Sequence, residues 1–317
     1  MKVSSRRATT AVFVGLGALA GVALAARRLA RGRGADRSST MRHGVSDGME
    51  YAVIGDGPKT LLHLPGGPGS ETTTGSGARF TARHLAPYAA AGYTVWNVDR
   101  RRNMPAGHSI ADMADDHAAF IRDRLGGRAD VVIGTSYGGL IALYLAANHP
   151  ELVGRVVLAG SAATITPWGR DVDLRWARAR AEHRFGAAGA IMLEYVLPDP
   201  RWAALRRGPL VGRMFAGSHV PEDDLIVEGE AELAFDARDV LPRIQAPVLV
   251  LSGTTDRFFP PTVVEETAAL IPDCTVVQYR GGHFTASMTR RAPGDVAAWT
   301  EGRETPTRPK ASASSSS

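Results

Sequence analysis

The chain has 317 residues, of which 44% are apolar and 22% are charged, as in an ordinary globular protein. The first 33 residues carry seven of the 37 basic side chains and none of the 32 acidic ones. The formal net charge of +5 therefore comes from this leader, and the rest, with 30 basic residues against 32 acidic ones, lacks the basic stripe of a nucleic-acid-binding protein.

An uncharged run from Ala8 to Ala26 dominates the N-terminus, with basic residues on both sides. Its length is at the lower limit for a membrane-spanning helix and is long for the apolar core of a signal peptide. We predict that residues 1–33 form a single anchor in the cell membrane, with an exported and processed protein as the alternative. Residues 34–47 are predicted to be a polar linker.

From residue 48 onward, short β-branched runs alternate with helical patterns. Runs that are apolar on both faces are typical of strands covered by helices on both sides. The alternation predicts an α/β fold with a doubly wound, mostly parallel sheet, built from residues 48–163 and 241–300. We predict strands at 51–54, 60–64, 94–98, 130–133, 155–158, 248–251 and 275–279, and helices near 78–91, 109–125, 137–148 and 262–270.

The interval 164–240 breaks this alternation because it contains no convincing strand. We predict that it is a helical cap inserted over the edge of the sheet, with helices at 172–185, 189–197 and 201–215. Residues 301–317 are polar and cannot bury enough apolar surface to order themselves, so they are predicted to be a disordered tail.

The pentapeptide Gly134-Thr135-Ser136-Tyr137-Gly138 directly follows a predicted strand and opens a predicted helix. Such a turn pushes its serine into strained backbone angles, and glycines on either side are needed because side chains there would collide. The turn would lift the Ser136 hydroxyl above the sheet at a helix N-terminus, where the helix dipole favours developing negative charge.

With this motif, the chain resembles the α/β-hydrolase family from about residue 48 to residue 299. In that family an acid follows the penultimate strand and a histidine follows the last strand. Asp256 and His283 stand at these two places, so Ser136, Asp256 and His283 keep the family's order. The resemblance implies that Ser136 is the nucleophile, that His283 is its general base and that Asp256 orients the imidazole.

Acyl transfer also requires hydrogen-bond donors for the oxyanion. The resemblance implies that the Tyr137 amide is one donor and that the loop Pro65-Gly66-Gly67-Pro68-Gly69 supplies the other, for which position favours Gly67. Family members usually have a histidine where Pro65 stands. This chain therefore lacks a side chain that normally braces the loop.

A second departure from the family lies after the strand at 94–98. Many members have D-x-R-G-x-G in a turn there, and this chain keeps Asp99 and Arg101 but has Arg102 and Met104 at the glycine positions. We therefore expect the pocket wall here to differ from that of better-known family members. We assign this turn a structural role and not a catalytic one.

We expect neither a metal nor a cofactor. The histidines in strand or helix patterns are not spaced as metal ligands, and the single cysteine, Cys274, excludes a disulfide framework and a cysteine-rich metal site. The histidines that we expect to be structural are His63, His84, His117 and His149.

The sequence thus predicts a serine hydrolase that cleaves a carboxylic ester, lactone or amide of a small molecule. One alternative is an aminopeptidase of the proline iminopeptidase type, which the loop at 65–69 suggests and which would hold a free amine with cap carboxylates. Another is a ligand-binding or receptor protein on the same fold. The candidate cap carboxylates are Glu194, Glu222, Asp223, Asp224, Glu228 and Glu230.

Overall fold

The structure, a computed structural model, describes residues 41–196, 209–212, 216 and 218–303. The anchor or signal predicted for residues 1–33 lies outside these residues, as do residues 304–317 of the tail predicted for 301–317. None of the described helices is both long and apolar enough to cross a bilayer.

Eight strands of the described chain form one sheet. They are β1 (Arg42–Ser46), β2 (Met49–Ile54), β3 (Lys59–Leu64), β4 (Tyr93–Arg101), β5 (Val131–Thr135), β6 (Val156–Ala159), β7 (Val248–Gly253) and β8 (Cys274–Tyr279). The helices are α1 (Gly75–Ala90), α2 (Ile110–Arg124), α3 (Tyr137–Asn148), α4 (Pro167–Ala181), α5 (Phe185–Val196), α6 (Pro209–Gly212), α7 (Glu222–Leu233), α8 (Pro261–Leu270), α9 (His283–Met288) and α10 (Ala292–Thr300).

The strand order is β1-β2-β4-β3-β5-β6-β7-β8. β2 pairs antiparallel with both β1 and β4, whereas every pairing from β4 to β8 is parallel. This arrangement confirms the predicted α/β fold with a mostly parallel sheet. Because the carboxyl ends of parallel strands share one edge, the loops after β3, β5, β7 and β8 meet there.

The central strands serve two cores, because successive side chains of a strand point to opposite faces. On one face Leu62 and Val132 pack with residues of α2 and α3. On the other face Leu61 and Val131 pack with residues of α1, α9 and α10. Helices therefore cover both sides of the sheet, which is why the central strands β5, β6 and β7 are mainly apolar.

Strand β1 corrects the predicted linker 34–47, whose last residues belong to the sheet. Asp47 and Gly48 connect β1 to β2 with φ values of 48° and 75°, the left-handed geometry of a tight hairpin turn. β1 lies at the sheet edge and is largely exposed, so it lacks the apolar run by which the other strands were predicted. The Asp-Gly pair was the available signal for this hairpin.

Between β6 and β7 the described chain holds α4 to α7, which we call the inserted helices. Helix α4 begins at Pro167, earlier than the predicted residue 172, because the Thr166 hydroxyl accepts a hydrogen bond from the Gly169 amide and caps it. Helix α6 is the part of the predicted helix 201–215 that the structure describes. The division of the chain into a core and a cap stays a prediction.

Helix α7 was missed by the sequence analysis. It carries six acidic residues, and three of them, Asp224, Glu228 and Glu232, are buried. A helix with carboxylates on its inner face does not show the usual apolar stripe, so periodicity could not reveal it. The partners of these buried groups lie elsewhere in the chain.

Candidate active site

The turn between β5 and α3 holds Ser136 at φ 49° and ψ −115°. Residues other than glycine rarely adopt these backbone angles. A Cβ at Gly134 would lie 2.5 Å from the Gly139 Cα, and one at Gly138 would lie 2.1 Å from the Leu64 carbonyl oxygen. Both contacts are with backbone, which cannot move aside. The strand–turn–helix geometry thus explains why both glycines are needed.

Ser136, His283 and Asp256 come together above the carboxyl edge of the sheet. The Ser136 Oγ lies 2.9 Å from the His283 Nε2, and the His283 Nδ1 lies 2.9 Å from the Asp256 Oδ2. With the proton on Nδ1 donated to Asp256, Nε2 is left to accept the hydroxyl proton of Ser136. This is the geometry that lets an imidazole act as base toward a serine.

Asp256 is itself fixed by the loop after β7. Its Oδ1 accepts hydrogen bonds from the backbone amides of Phe258, at 2.8 Å, and Phe259, at 3.2 Å. The carboxylate is 3% exposed, so its two oxygens are satisfied within the protein and not by bulk water. Asp256 can therefore hold the imidazole in one orientation.

Aromatic side chains surround His283. Its ring centroid lies 4.6 Å from that of Phe258, 5.8 Å from that of Phe259 and 5.6 Å from that of Phe284. Tyr195 of the inserted helices extends this wall, with its ring 5.1 Å from Phe258. An apolar wall of this kind excludes water and strengthens electrostatic interactions within the site.

The loop after β3 passes directly over Ser136. A Cβ at Gly66 would lie 3.1 Å from the Ser136 Cβ and 2.9 Å from the Thr135 carbonyl oxygen. Gly67 follows at φ 73°, and Trp176 of α4 covers it at 3.7 Å from the position of a Cβ. The loop that we predicted to supply an oxyanion donor therefore lies beside Ser136 and Tyr137.

Three charged side chains hold this loop in place. Arg100, which is 1% exposed, donates to the carbonyl oxygens of Pro65, at 3.0 Å, and Gly67. Glu228 of α7 forms an ion pair with Arg100 at 2.8 Å and accepts the Gly69 amide at 2.6 Å. Arg180 of α4 donates to the carbonyl oxygens of Pro68 and Gly69 in the same loop.

The expected turn at Asp99 is part of the sheet, because β4 continues to Arg101. The Asp99 carboxylate accepts hydrogen bonds from the hydroxyls of Ser70, Thr72 and Thr73 and from the Thr72 amide. Asp99 thereby fixes the segment that follows the loop at residues 65–69. Its role is structural, in agreement with the sequence analysis.

Two carboxyl groups of the inserted helices are buried against each other. Asp173 of α4 and Glu232 of α7 are 5% and 2% exposed, and the Tyr195 hydroxyl donates to Asp173. Burial raises the pKa of Asp173 to about 6. Burial, followed by the neighbouring Asp173, raises the pKa of Glu232 well above its ordinary value. Because Tyr195 also packs on Phe258, this pair adjoins the aromatic wall around His283.

A sequence profile described as the alpha/beta hydrolase fold matches residues 59–287. The matched range includes Ser136, Asp256 and His283 and covers more than half of the chain. The chain belongs to the α/β-hydrolase fold family.

Known relatives of this α/β hydrolase include enzymes with hydrolytic names. It is 29% identical to the 2-hydroxymuconate semialdehyde hydrolase of Pseudomonas putida over 241 residues, which are 72% of this chain and 81% of the relative. It is 32% identical to the pimeloyl-[acyl-carrier protein] methyl ester esterase of Neisseria meningitidis serogroup B over 166 residues, which are 49% of this chain and 60% of the relative. These relatives support a hydrolase on this fold.

Solved structures show the same architecture. The crystal structure of MGS-M2, an alpha/beta hydrolase enzyme from a Medee basin deep-sea metagenome library, matches with a TM-score of 0.66 and 17% identity. The match covers 84% of this chain and 100% of that chain. At this identity the likeness shows the fold alone.

The cap carboxylates that the sequence suggested for amine binding are engaged elsewhere or exposed. Glu194 pairs with Arg175, and Glu222 pairs with His183. Asp224 accepts the backbone amides of residues 103 and 104. The carboxyl groups that adjoin the site are Asp173 and Glu232, which the sequence analysis did not single out. Of the other candidate cap carboxylates, Glu228 pairs with Arg100, and Asp223 and Glu230 are exposed.

Two of the histidines that we expected to be structural, His63 and His117, are buried and hydrogen-bonded within the protein. The His63 ring lies within hydrogen-bond distance of Asn97, at 2.7 Å, and Thr135, at 3.1 Å, while His117 bonds the Met113 carbonyl. Burial lowers the pKa of both His63 and His117 to about 4. Among the described residues, no group of three histidine, cysteine or acidic side chains could hold a metal ion.

Proposed function

We propose that this α/β hydrolase cleaves a carboxylic ester of a small molecule, or a lactone or amide, through an acyl-enzyme on Ser136. The observation that carries the proposal is the continuous hydrogen-bonded chain from Ser136 through His283 to Asp256. A serine hydroxyl is a weak nucleophile by itself, and an imidazole within hydrogen-bond reach activates it by taking its proton during attack.

In the first step the Ser136 Oγ attacks the ester carbonyl carbon while the His283 Nε2 accepts the hydroxyl proton. The negative charge that forms on the carbonyl oxygen would be stabilised by the backbone amides of Tyr137 and Gly67. His283 then gives its proton to the departing alcohol, which leaves the acyl group on Ser136. Water, activated by the same imidazole, releases the carboxylic acid and restores the hydroxyl.

The surroundings of His283 favour an apolar substrate group near the reacting carbonyl. Phe258, Phe284, Tyr195 and Trp176 line or cover the site, and none of them offers a charge to a polar acyl chain. The name of the Neisseria relative contains an ester substrate, which supports ester hydrolysis as the reaction class.

The test is hydrolysis of a panel of p-nitrophenyl esters of varied acyl length, with amino-acid arylamides alongside. Ser136→Ala should lower kcat by about 10⁴–10⁶-fold, to the residual rate that substrate binding and the oxyanion donors provide without the nucleophile. Its Tm should change little. Ser252→Ala is the matched control, because Ser252 is a buried serine on β7 whose hydroxyl has no hydrogen-bond partner among the residues that the structure describes. Retained turnover in Ser136→Ala would assign the reaction to another nucleophile, and no turnover in the unmodified protein would favour a ligand-binding protein.

The second candidate is the aminopeptidase, which the buried pair of Asp173 and Glu232 favours. A carboxyl pair beside the aromatic wall, with Asp173 ionised, could attract the ammonium group of a substrate. In that case amino-acid arylamides with a free amine would exceed the esters in kcat/KM, and Asp173→Asn would lower only the rates on amine-bearing substrates. Equal rates on free and N-acylated arylamides would exclude this candidate.

A further inference from the structure

The loop at residues 65–69, which we call the oxyanion loop, lacks the histidine that usually braces it in the family. In this protein the Arg100 side chain donates hydrogen bonds to carbonyl oxygens of the loop. Arg100 lies near the end of β4 and is buried beneath the loop. One nitrogen of its guanidinium donates to the Pro65 carbonyl at 3.0 Å, and another donates to the Gly67 carbonyl. A planar guanidinium with several donors can hold two carbonyl groups in fixed directions.

These two bonds control the amide between them. The Gly67 N–H belongs to the peptide that joins Gly66 to Gly67, and the peptides on either side carry the carbonyls that Arg100 holds. Peptide units are planar, so only rotation at the two glycines could turn this amide away from Ser136. Glycine permits such rotation readily. Holding both flanking peptides fixes the positions of the Gly66 and Gly67 Cα atoms, so that this amide keeps its place beside Ser136 and can turn only about the axis that joins those two atoms.

Glu228 completes the arrangement from α7. Its Oε2 lies 2.8 Å from Arg100 and accepts the Gly69 amide at 2.6 Å. Its backbone carbonyl accepts the Tyr137 hydroxyl at 2.9 Å, and the Arg100 guanidinium lies 4.5 Å from the centre of the Tyr137 ring. The ion pair therefore contacts both residues whose amides would bind the oxyanion.

We propose that Arg100, paired with Glu228, is a positioning residue that directs the Gly67 amide toward the oxyanion. The inference rests on the proposed function, because it concerns the transition state of acyl transfer. Arg100 contacts no substrate and acts through the loop. It follows that α7 is tied to the chemical step through Glu228 and does not only cover the site.

The experiment compares Arg100→Met and the double variant Arg100→Met/Glu228→Gln with the unmodified protein. The double variant removes both charges, so that no carboxylate is left buried without its partner. Arg170→Met is the matched control, since Arg170 also donates to backbone carbonyls, those of Ile165 and Phe235, but away from the oxyanion loop.

Three kinds of measurement are made on each variant. They are kcat and KM for a p-nitrophenyl ester, the inhibition constant of an aryl trifluoromethyl ketone, and hydrogen–deuterium exchange of the peptide covering residues 65–69. The ketone reacts with Ser136 to form a tetrahedral adduct whose oxygen carries negative charge, so its affinity reports the oxyanion donors.

We expect Arg100→Met and the double variant to lose about 10²–10³-fold in kcat, the loss typical of one oxyanion donor, with KM little changed. The inhibition constant should rise by a similar factor, and exchange at 65–69 should become faster. Arg170→Met should match the unmodified protein in all three. If Arg100→Met does not fold, the double variant and Arg100→Lys, which keeps the charge but not the two-carbonyl geometry, carry the same comparison.

The inference is overturned if a folded Arg100 variant keeps its kcat and its affinity for the ketone, or if exchange at 65–69 is unchanged. Failure of the proposed function gives a different result. In that case the unmodified protein neither hydrolyses the ester nor binds the ketone, while the exchange measurement still tests whether Arg100 holds the loop.

Discussion

At residue 256 one carboxylate makes two kinds of contact. Oδ2 lies 2.9 Å from the His283 Nδ1, while Oδ1 accepts two backbone amides. The backbone bonds fix the carboxylate, and the fixed carboxylate determines which nitrogen of the imidazole carries the proton. Orientation of the ring is thus encoded in the loop after β7.

Asp256→Asn tests this role. The amide can still accept the backbone bonds through its oxygen but presents N–H₂ to the imidazole, which favours the wrong tautomer. We expect kcat for ester hydrolysis to fall by about 10⁴-fold, with Tm changed far less than the rate. Steady-state kinetics and thermal unfolding measure the two effects. A fall in kcat of less than tenfold would contradict the assignment of Asp256.

The three candidate residues, Ser136, Asp256 and His283, were predictable from the sequence because each follows a recognisable strand. The motif alone would not have identified Ser136, because Gly44-Val45-Ser46-Asp47-Gly48 also fits G-x-S-x-G. That second match lies in the β1–β2 hairpin. What separates the two is that Ser136 stands between a buried strand and a helix. Arg100 could not be predicted in the same way, because its hydrogen-bond partners are backbone carbonyls about 35 residues before it.

At the scale of elements, the contact of α4 with α7 contains the buried pair of Asp173 and Glu232. Burial raises the pKa of Asp173 to about 6, so the folded state binds more protons than the unfolded state between about pH 4 and pH 6. Stability is therefore lost as pH rises through this interval. The free-energy cost of burying the ionised Asp173 carboxylate is fully present above its folded-state pKa.

Asp173→Asn should remove this cost. Relative to the unmodified protein, the variant should gain on the order of 1–3 kcal/mol in unfolding free energy at pH 7.5 and much less at pH 4. Chemical denaturation at the two pH values measures the difference. Asp171→Asn is the control, because Asp171 lies on the same helix with its side chain 63% exposed. An equal gain for Asp173→Asn at both pH values would show that the buried charge is not the cause.

The elements that the sequence analysis missed have a common physical reason. β1 is an exposed edge strand, and α7 turns carboxylates toward the interior. The stability of β1 depends on its pairing with β2, and that of α7 depends on partners that are distant in the chain, such as Arg100 for Glu228. Local periodicity identifies elements whose buried side is apolar, as in β5 and α3, and does not identify elements whose buried side is polar.

For the whole molecule, the parallel sheet is what joins the three catalytic candidates. Ser136 and His283 are 147 residues apart in the chain, yet both stand beyond the carboxyl ends of strands that share one edge. The inserted helices complete the site from above, since Trp176 covers Gly67 and Glu228 pairs with Arg100. The alternation of strands and helices predicted the sheet, whereas the packing of the inserted helices required coordinates.

The most direct test of this account is to trap the acyl-enzyme. A p-nitrophenyl ester is mixed with the protein, the reaction is stopped with acid during turnover, and peptides are analysed by mass spectrometry. The account predicts that the mass of the acyl group appears on Ser136, in proportion to an initial burst of p-nitrophenol, and that Ser136→Ala shows neither. Turnover with no adduct on Ser136, or with the acyl group on another residue, would contradict it.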